Sequence, residues 1–152
     1  AAIAGAMMSI NAVKGVEIGP AFANAAAHGH DVHDEITIDS EHGWTRLSNK
    51  AGGFEGGMTN GQPVVVRGAL KPISTMRRRL RTVDVITLEA TTAHFERSDV
   101  CVVPAAGVIG EAMVALVLAD AVLDKFGGDS LTETQMSVTR FRQTNSVSRP
   151  DS

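Results

Sequence analysis

Lys71 stands immediately after an apolar run, Val64-Val65-Val66-Arg67-Gly68-Ala69-Leu70, and two hydroxyls follow it at Ser74 and Thr75. A fixed cation with hydroxyl donors close behind suits an anionic, oxygen-rich ligand. Just upstream, Gly52, Gly53, Gly56, Gly57 and Gly61 fall within ten residues. In a helix or strand interior each glycine costs ~1 kcal/mol relative to alanine. That density is tolerable where the backbone needs positive φ or must lie against something flat or charged. The two segments together read as backbone wrapped around a planar anion, with plain tight turns as the alternative. The loop is not a Walker A motif, because no Gly-Lys-Ser/Thr opens a helix. It is not a dinucleotide fingerprint either, because the long helix does not follow it directly.

Three other groupings carry chemistry-competent residues. Arg97 and Asp99, two apart on an extended segment, point the same way. They form either a self-satisfied ion pair or an arginine clamp for phosphate or carboxylate beside a proton-moving aspartate. Cys101, between Val100 and Val102, reads as a packed cysteine rather than a nucleophile, since no partner base is in evidence. His28, His30, His33, Asp34 and Glu35 are metal-competent side chains. No cysteine accompanies them and no His-Glu-x-x-His pattern is present, so a solvated loop is the expectation. The basic run Arg77 to Arg81 reads as a solvent-facing loop or subunit contact, with phosphate binding as the alternative.

The elements that must position these groups follow from patterning. An Ala-rich helix over 2–13 is expected to end at Gly15. Val16-Glu17-Ile18 reads as a short strand, and Ala21 to Ala27 as a helical turn or two. A polar excursion, His28 to Trp44, contains a weak strand around Ile36-Thr37-Ile38, and Trp44 to Asn49 forms another. Val64 to Leu70 is the strongest strand signal. Val83 to Leu88 and Ala93 to Arg97 alternate and are expected to pair antiparallel. Pro104 opens a long helix to about Phe126, with Val108, Ala112, Ala115, Leu116, Ala119 and Leu123 on its buried face. Gly127-Gly128 caps it. Leu131 to Phe141 is a final amphipathic helix, and Thr144 to Ser152 a frayed tail. The pattern gives an α+β fold with antiparallel strands and outer helices.

The chain has 152 residues, 43% hydrophobic and 20% charged, with mean hydropathy +0.04. That is a globular composition long enough for one domain with a core. A net charge of −3 and a pI of about 5.9 argue against nucleic acid as a partner. The single cysteine excludes an intrachain disulfide and points to a reducing, cytoplasmic setting. The longest apolar run, Val108 to Leu123, is interrupted by Gly110, Glu111 and Asp120, so no membrane span is expected. The start, Ala1 to Met8, reads as the middle of a helix, not a signal peptide. The chain is therefore expected to begin inside a larger protein.

In order along the chain, five segments carry a family resemblance: Met7 to Gly19, the loop Gly52 to Gln62, Lys71 to Thr75, Arg97-Ser98-Asp99-Val100-Cys101, and Phe126-Gly127-Gly128-Asp129. They resemble the C-terminal part of chorismate synthase, and the Gly-Gly-Met-Thr-Asn-Gly and Ala105-Ala106-Gly107 versions look like its actinobacterial branch. The resemblance assigns residues 1–143 to that portion and 144–152 to a flexible tail. It implies part of a β-α-β sandwich of antiparallel sheets and outer helices, assembled as a cytoplasmic homotetramer. The implied activity is a lyase reaction of the shikimate pathway, in aromatic amino-acid biosynthesis. Phosphate is eliminated 1,4-anti from 5-enolpyruvylshikimate 3-phosphate, giving chorismate. Reduced FMN is the implied cofactor, and NADPH serves only as an external source of reduction. The implied flavin contacts are Asn11, Ala12, Gly56, Lys71, Pro72, Ile73, Ser74, Thr75 and Arg97. Arg97 also serves the anionic substrate, and Asp99 is the implied catalytic acid/base residue, managing a proton at flavin N5. The family's N-terminal catalytic histidines and Arg-Ser-Ser-Ala motif have no counterpart here, and none of the five histidines takes those roles. The alternatives are a non-catalytic flavin- or anion-binding module and a ligand-free assembly domain.

Overall fold

The computed structural model describes residues 1–39, 43–97 and 100–145. Helix α1 (Ala2–Met8) stops well short of Gly15. Ser9 turns its hydroxyl back onto the Ala6 carbonyl at 2.7 Å, the local competition with helix that serine favours. The chain then enters strand β1 (Val13–Ile18), so Gly15 is a strand residue rather than a cap. A short helix α2 (Ala21–Ala25) and a 3-10 turn (Gly29–Asp31) lead into the β2 (Ile36–Asp39) and β3 (Gly43–Arg46) hairpin. A minimal hairpin, β4 (Phe54–Glu55) and β5 (Met58–Thr59), follows.

Strand β6 (Val66–Leu70) returns antiparallel to β1, pairing Val13 with Leu70 and Ile18 with Val66, with an irregularity between Val13 and Gly15. The β1–β6 ribbon is the scaffold on which everything else hangs. Beyond it, β7 (Arg81–Val83) pairs with β8 (Ala90–Thr92). This hairpin differs from the one expected. Val85, Ile86 and Leu88 alternate like a strand but form its exposed tip. Asp84 closes that turn by accepting from the Ile86 and Thr87 N–H groups at 2.8 and 2.9 Å. A carboxylate folded back on its own backbone outweighs the strand preference of the apolar residues that follow.

Helix α3 (Val103–Phe126) carries Pro104 in its first turn, where the missing N–H costs nothing. It packs against α1 through small residues. Met7 is buried, and its methyl lies 3.3 Å from where a Cβ would stand on either Gly68 of β6 or Gly110 of α3. Glycines at both places let helix, helix and ribbon close around one methionine. The inward face is therefore Ala106, Gly110, Met113, Val114 and Val117. Val108, Leu116 and Leu123, expected inside, are exposed. The helix is apolar on nearly every side, so its hydropathy period has no phase, and close approach at glycine selects the face. By length and composition α3 is also able to cross a membrane, with a mean hydropathy of 2.0 over 18 residues. The sequence reading began the run at Val108, whereas the helix begins five residues earlier.

Helix α4 (Leu131–Asn145) folds back on the end of α3. Gly127 turns with φ 57°, and its carbonyl accepts from the buried Thr134 hydroxyl at 2.6 Å. The Phe126 and Phe141 rings meet edge-on at 5.4 Å, with the Lys125 ammonium 4.0 Å from the Phe141 ring centre. Thr144 and Asn145 are helical, so the tail begins later than expected; 146–152 lie outside the described residues. The architecture is α+β with small antiparallel sheets, as the pattern indicated.

Candidate active-site surface

The two ends of the β1–β6 ribbon hold the residues singled out from the sequence. The strands between them span roughly 17 Å at the usual strand rise. At one end the Lys71 N–H donates to the Ala12 carbonyl at 2.7 Å. This joins Asn11 and Ala12 to the segment that starts at Lys71. Ala12 has φ 68°, a left-handed backbone in a residue with a Cβ. Such strain costs ~1–3 kcal/mol, persists only where the surroundings impose it, and gathers at functional sites. Asn11, Ala12, Lys71 and Pro72 are all exposed there. A groove of about 570 Å³ runs beside them, between Asn11, Ala12 and Leu70 on one side and Ala106, Ile109 and Met113 of α3 on the other.

Further along the same segment, Ser74 borders a small recess with Arg78, Arg79 and His94 at the root of the β7–β8 hairpin. Ile73 and Thr75 are half-buried. Arg97 is exposed, whereas Ser98 and Asp99 lie outside the described residues. Cys101 is exposed, contrary to the packed role expected of it. Its valine neighbours do not enclose it, because Val100 is itself at the surface. His28, His30 and His33 are on the exposed excursion.

At the opposite end the glycines divide into two kinds. Gly19 donates to the Val65 carbonyl at 2.8 Å, and Val65 donates to the Gly52 carbonyl at 3.0 Å. A Cβ on Gly52 would stand 2.3 Å from the Gly19 nitrogen, and one on Gly53 would stand 2.6 Å from the Pro63 oxygen. These two glycines serve backbone-on-backbone packing. Gly56 and Gly57, at φ 57° and 79°, have nothing within 4 Å of an added Cβ. They form the open turn between β4 and β5. The sequence reading had treated the whole loop alike. No described contact joins Gly56 to Lys71.

Asp34, grouped with the solvated histidines in the sequence reading, is the buried carboxylate that organises this end. It accepts from the Ser48 hydroxyl, from Lys50 N–H at 2.7 Å and from Ala51 N–H at 2.8 Å. Burial alone would raise its pKa. The bonds from Ser48, Ala51 and Lys50 and the Arg46 charge outweigh this and hold it below its ordinary 3.8. Its own carbonyl accepts from Arg46 Nη1 at 3.0 Å. The partners lie 12 to 17 residues downstream, beyond the reach of any local pattern.

A family model described as chorismate synthase matches residues 1–123. Chorismate synthase of Solibacter usitatus is 64% identical over 140 residues, covering 91% of this chain and 36% of the relative. That of Nocardioides sp. is 56% identical, covering 95% of the chain and 36% of the relative. A crystal structure of chorismate synthase superposes with a TM-score of 0.71 at 43% identity, covering 94% of this chain and 34% of that one. The chain spans about a third of the length of these relatives.

Proposed function

The chain belongs to the chorismate synthase family, and on that premise we propose that the protein bearing it makes chorismate from 5-enolpyruvylshikimate 3-phosphate. In this reaction a proton leaves carbon 6 and phosphate leaves carbon 3. The ring gains a double bond with no net redox change. Reduced FMN, when bound, supplies the electron density that assists phosphate departure.

The observation that carries the reading is the Ala12–Lys71 junction. Two segments distant in sequence meet through a 2.7 Å bond, beside an exposed cation and an exposed amide. That donor set suits a phosphate-bearing ligand, and the open Gly56 turn suits the approach of a flat ring. In this reading Asn11, Ala12 and Lys71 through Thr75 hold the cofactor. Pro72 and Ile73 set the path of the chain between the lysine and the hydroxyls of Ser74 and Thr75. Arg97 serves cofactor and anionic substrate together, and Asp99 holds a proton where the flavin needs one moved. The protein is cytoplasmic and works as a homotetramer.

The test is an anaerobic assay of the protein bearing this chain, with reduced FMN and 5-enolpyruvylshikimate 3-phosphate. Chorismate formation supports the reading. A folded protein that binds flavin and makes no chorismate overturns it in favour of a flavin-binding module.

A further inference from the structure

Arg46 has a use that the reaction itself does not call for. Its guanidinium is largely covered, with only 18% of the side chain exposed. One arm, Nη1, donates to the Asp34 carbonyl at 3.0 Å. The other, Nη2, meets Glu55 Oε2 at 2.6 Å. The same Glu55 oxygen accepts from Asn60 Nδ2 at 3.0 Å. Asp34 is in turn fixed by the Lys50 and Ala51 N–H groups. A continuous chain of bonds thus runs from the buried Asp34, through Arg46, to the residue immediately before Gly56.

The turn at Gly56 needs such a tether. Strands β4 and β5 are two residues each, and a hairpin that short does not hold itself in water. Around its two glycines the space is open, so packing does not fix the turn from that side. Among the described contacts, those that steady it are the Asn60 N–H bond to the Gly53 carbonyl at 3.0 Å and the Arg46–Glu55–Asn60 bridge.

We propose that Arg46 is a positioning residue for cofactor binding, holding the Gly56 turn at the height from which its backbone meets the flavin ring. The inference rests on the flavin reading given above. An arginine suits the task because its planar fork engages a carbonyl and a carboxylate at once. A lysine ammonium, a point charge, keeps one partner and loses the angle to the other. Misplacing a binding element by about 1 Å can cost as much as 100-fold.

The experiment is a titration of FMN into the protein bearing this chain, followed by flavin fluorescence, with thermal unfolding measured alongside. Arg46→Ala is expected to weaken FMN binding about tenfold or more. Arg46→Lys should fall between it and the unmodified protein. Glu55→Ala cuts the far end of the bridge and leaves the Asp34 bonds intact. It should weaken FMN as Arg46→Ala does, and the double variant should be little worse than either. In turnover, KM for flavin should rise while kcat at saturating flavin is largely kept. If Arg46→Ala does not fold, Glu55→Ala and Arg46→Lys carry the test. FMN affinity unchanged in the folded variants, with the unmodified protein binding normally, overturns the positioning role alone. Failure of the unmodified protein to bind FMN overturns the flavin reading and this role with it.

Discussion

The two ends of the β1–β6 ribbon solve opposite problems. At the Gly19–Gly52 end the backbone is pressed onto itself, and side chains are excluded. At the Ala12–Lys71 end the backbone is strained in a residue that keeps its Cβ, and polar side chains stand free in solvent. The first end spends its unusual residues on packing. The second spends its strain on presentation. An unusual backbone therefore marks function only when nothing nearby already explains it, and here the neighbours explain Gly52 but not Ala12.

The sharpest way to break that contrast is Gly52→Ala. Its Cβ would stand 2.3 Å from a backbone nitrogen, at φ 62°. Neither partner is a flexible side-chain end, so a loss of more than about 3 kcal/mol is expected in chemical denaturation. A normal midpoint would mean the two segments are not held together as described.

Asp34→Ala comes next. It strips the acceptors from Ser48, Lys50 and Ala51 and should cost about 2–3 kcal/mol. The same carboxylate predicts an acid dependence. Its folded pKa lies below the ordinary 3.8, so its stabilisation is present above that value and lost as pH falls through the lowered folded value. Unfolding midpoints measured from pH 6 down to about pH 2 should converge for the unmodified protein and Asp34→Ala. Curves that stay parallel to the lowest pH would remove the ionised carboxylate from the account.

Gly57→Ala should be milder. Its site is open and carries only the left-handed backbone penalty, about 1 kcal/mol. A cost equal to that of Gly52→Ala would erase the distinction between packing and open glycines. Lys71→Ala should leave the thermal midpoint nearly unchanged, because the side chain is exposed, and weaken FMN binding roughly tenfold. A large stability loss with normal flavin affinity would turn the presenting end into a second packing end.

Much of the scaffold was legible in the chain. The apolar run ending at Leu70 formed the strand it promised, and Pro104 and Gly127 bracket the long helix. Other features were hidden for stated reasons. The face of α3 had no hydropathy phase to read, and Gly110 decided it. Asp34 looked like one more charge in a polar loop, because its three donors come from a segment far along the chain. The β7–β8 hairpin was displaced because one carboxylate, Asp84, outweighed an alternating apolar pattern. Cys101 was expected inside on the strength of its valine neighbours, yet sequence neighbours do not determine what packs above them.

What the sequence determined by itself was local chemistry and family. A lysine with two following hydroxyls, a glycine cluster and five ordered motifs sufficed to name the resemblance that the comparisons bear out. Only the tertiary structure decided which glycines are packed and which are open, which side of α3 faces inward, and that Ala12 meets Lys71. Each of these depends on atoms brought together from distant parts of the chain. Spacing along a sequence constrains neighbours a few residues apart, whereas a 2.7 Å contact between β1 and β6 exists only once the ribbon has formed.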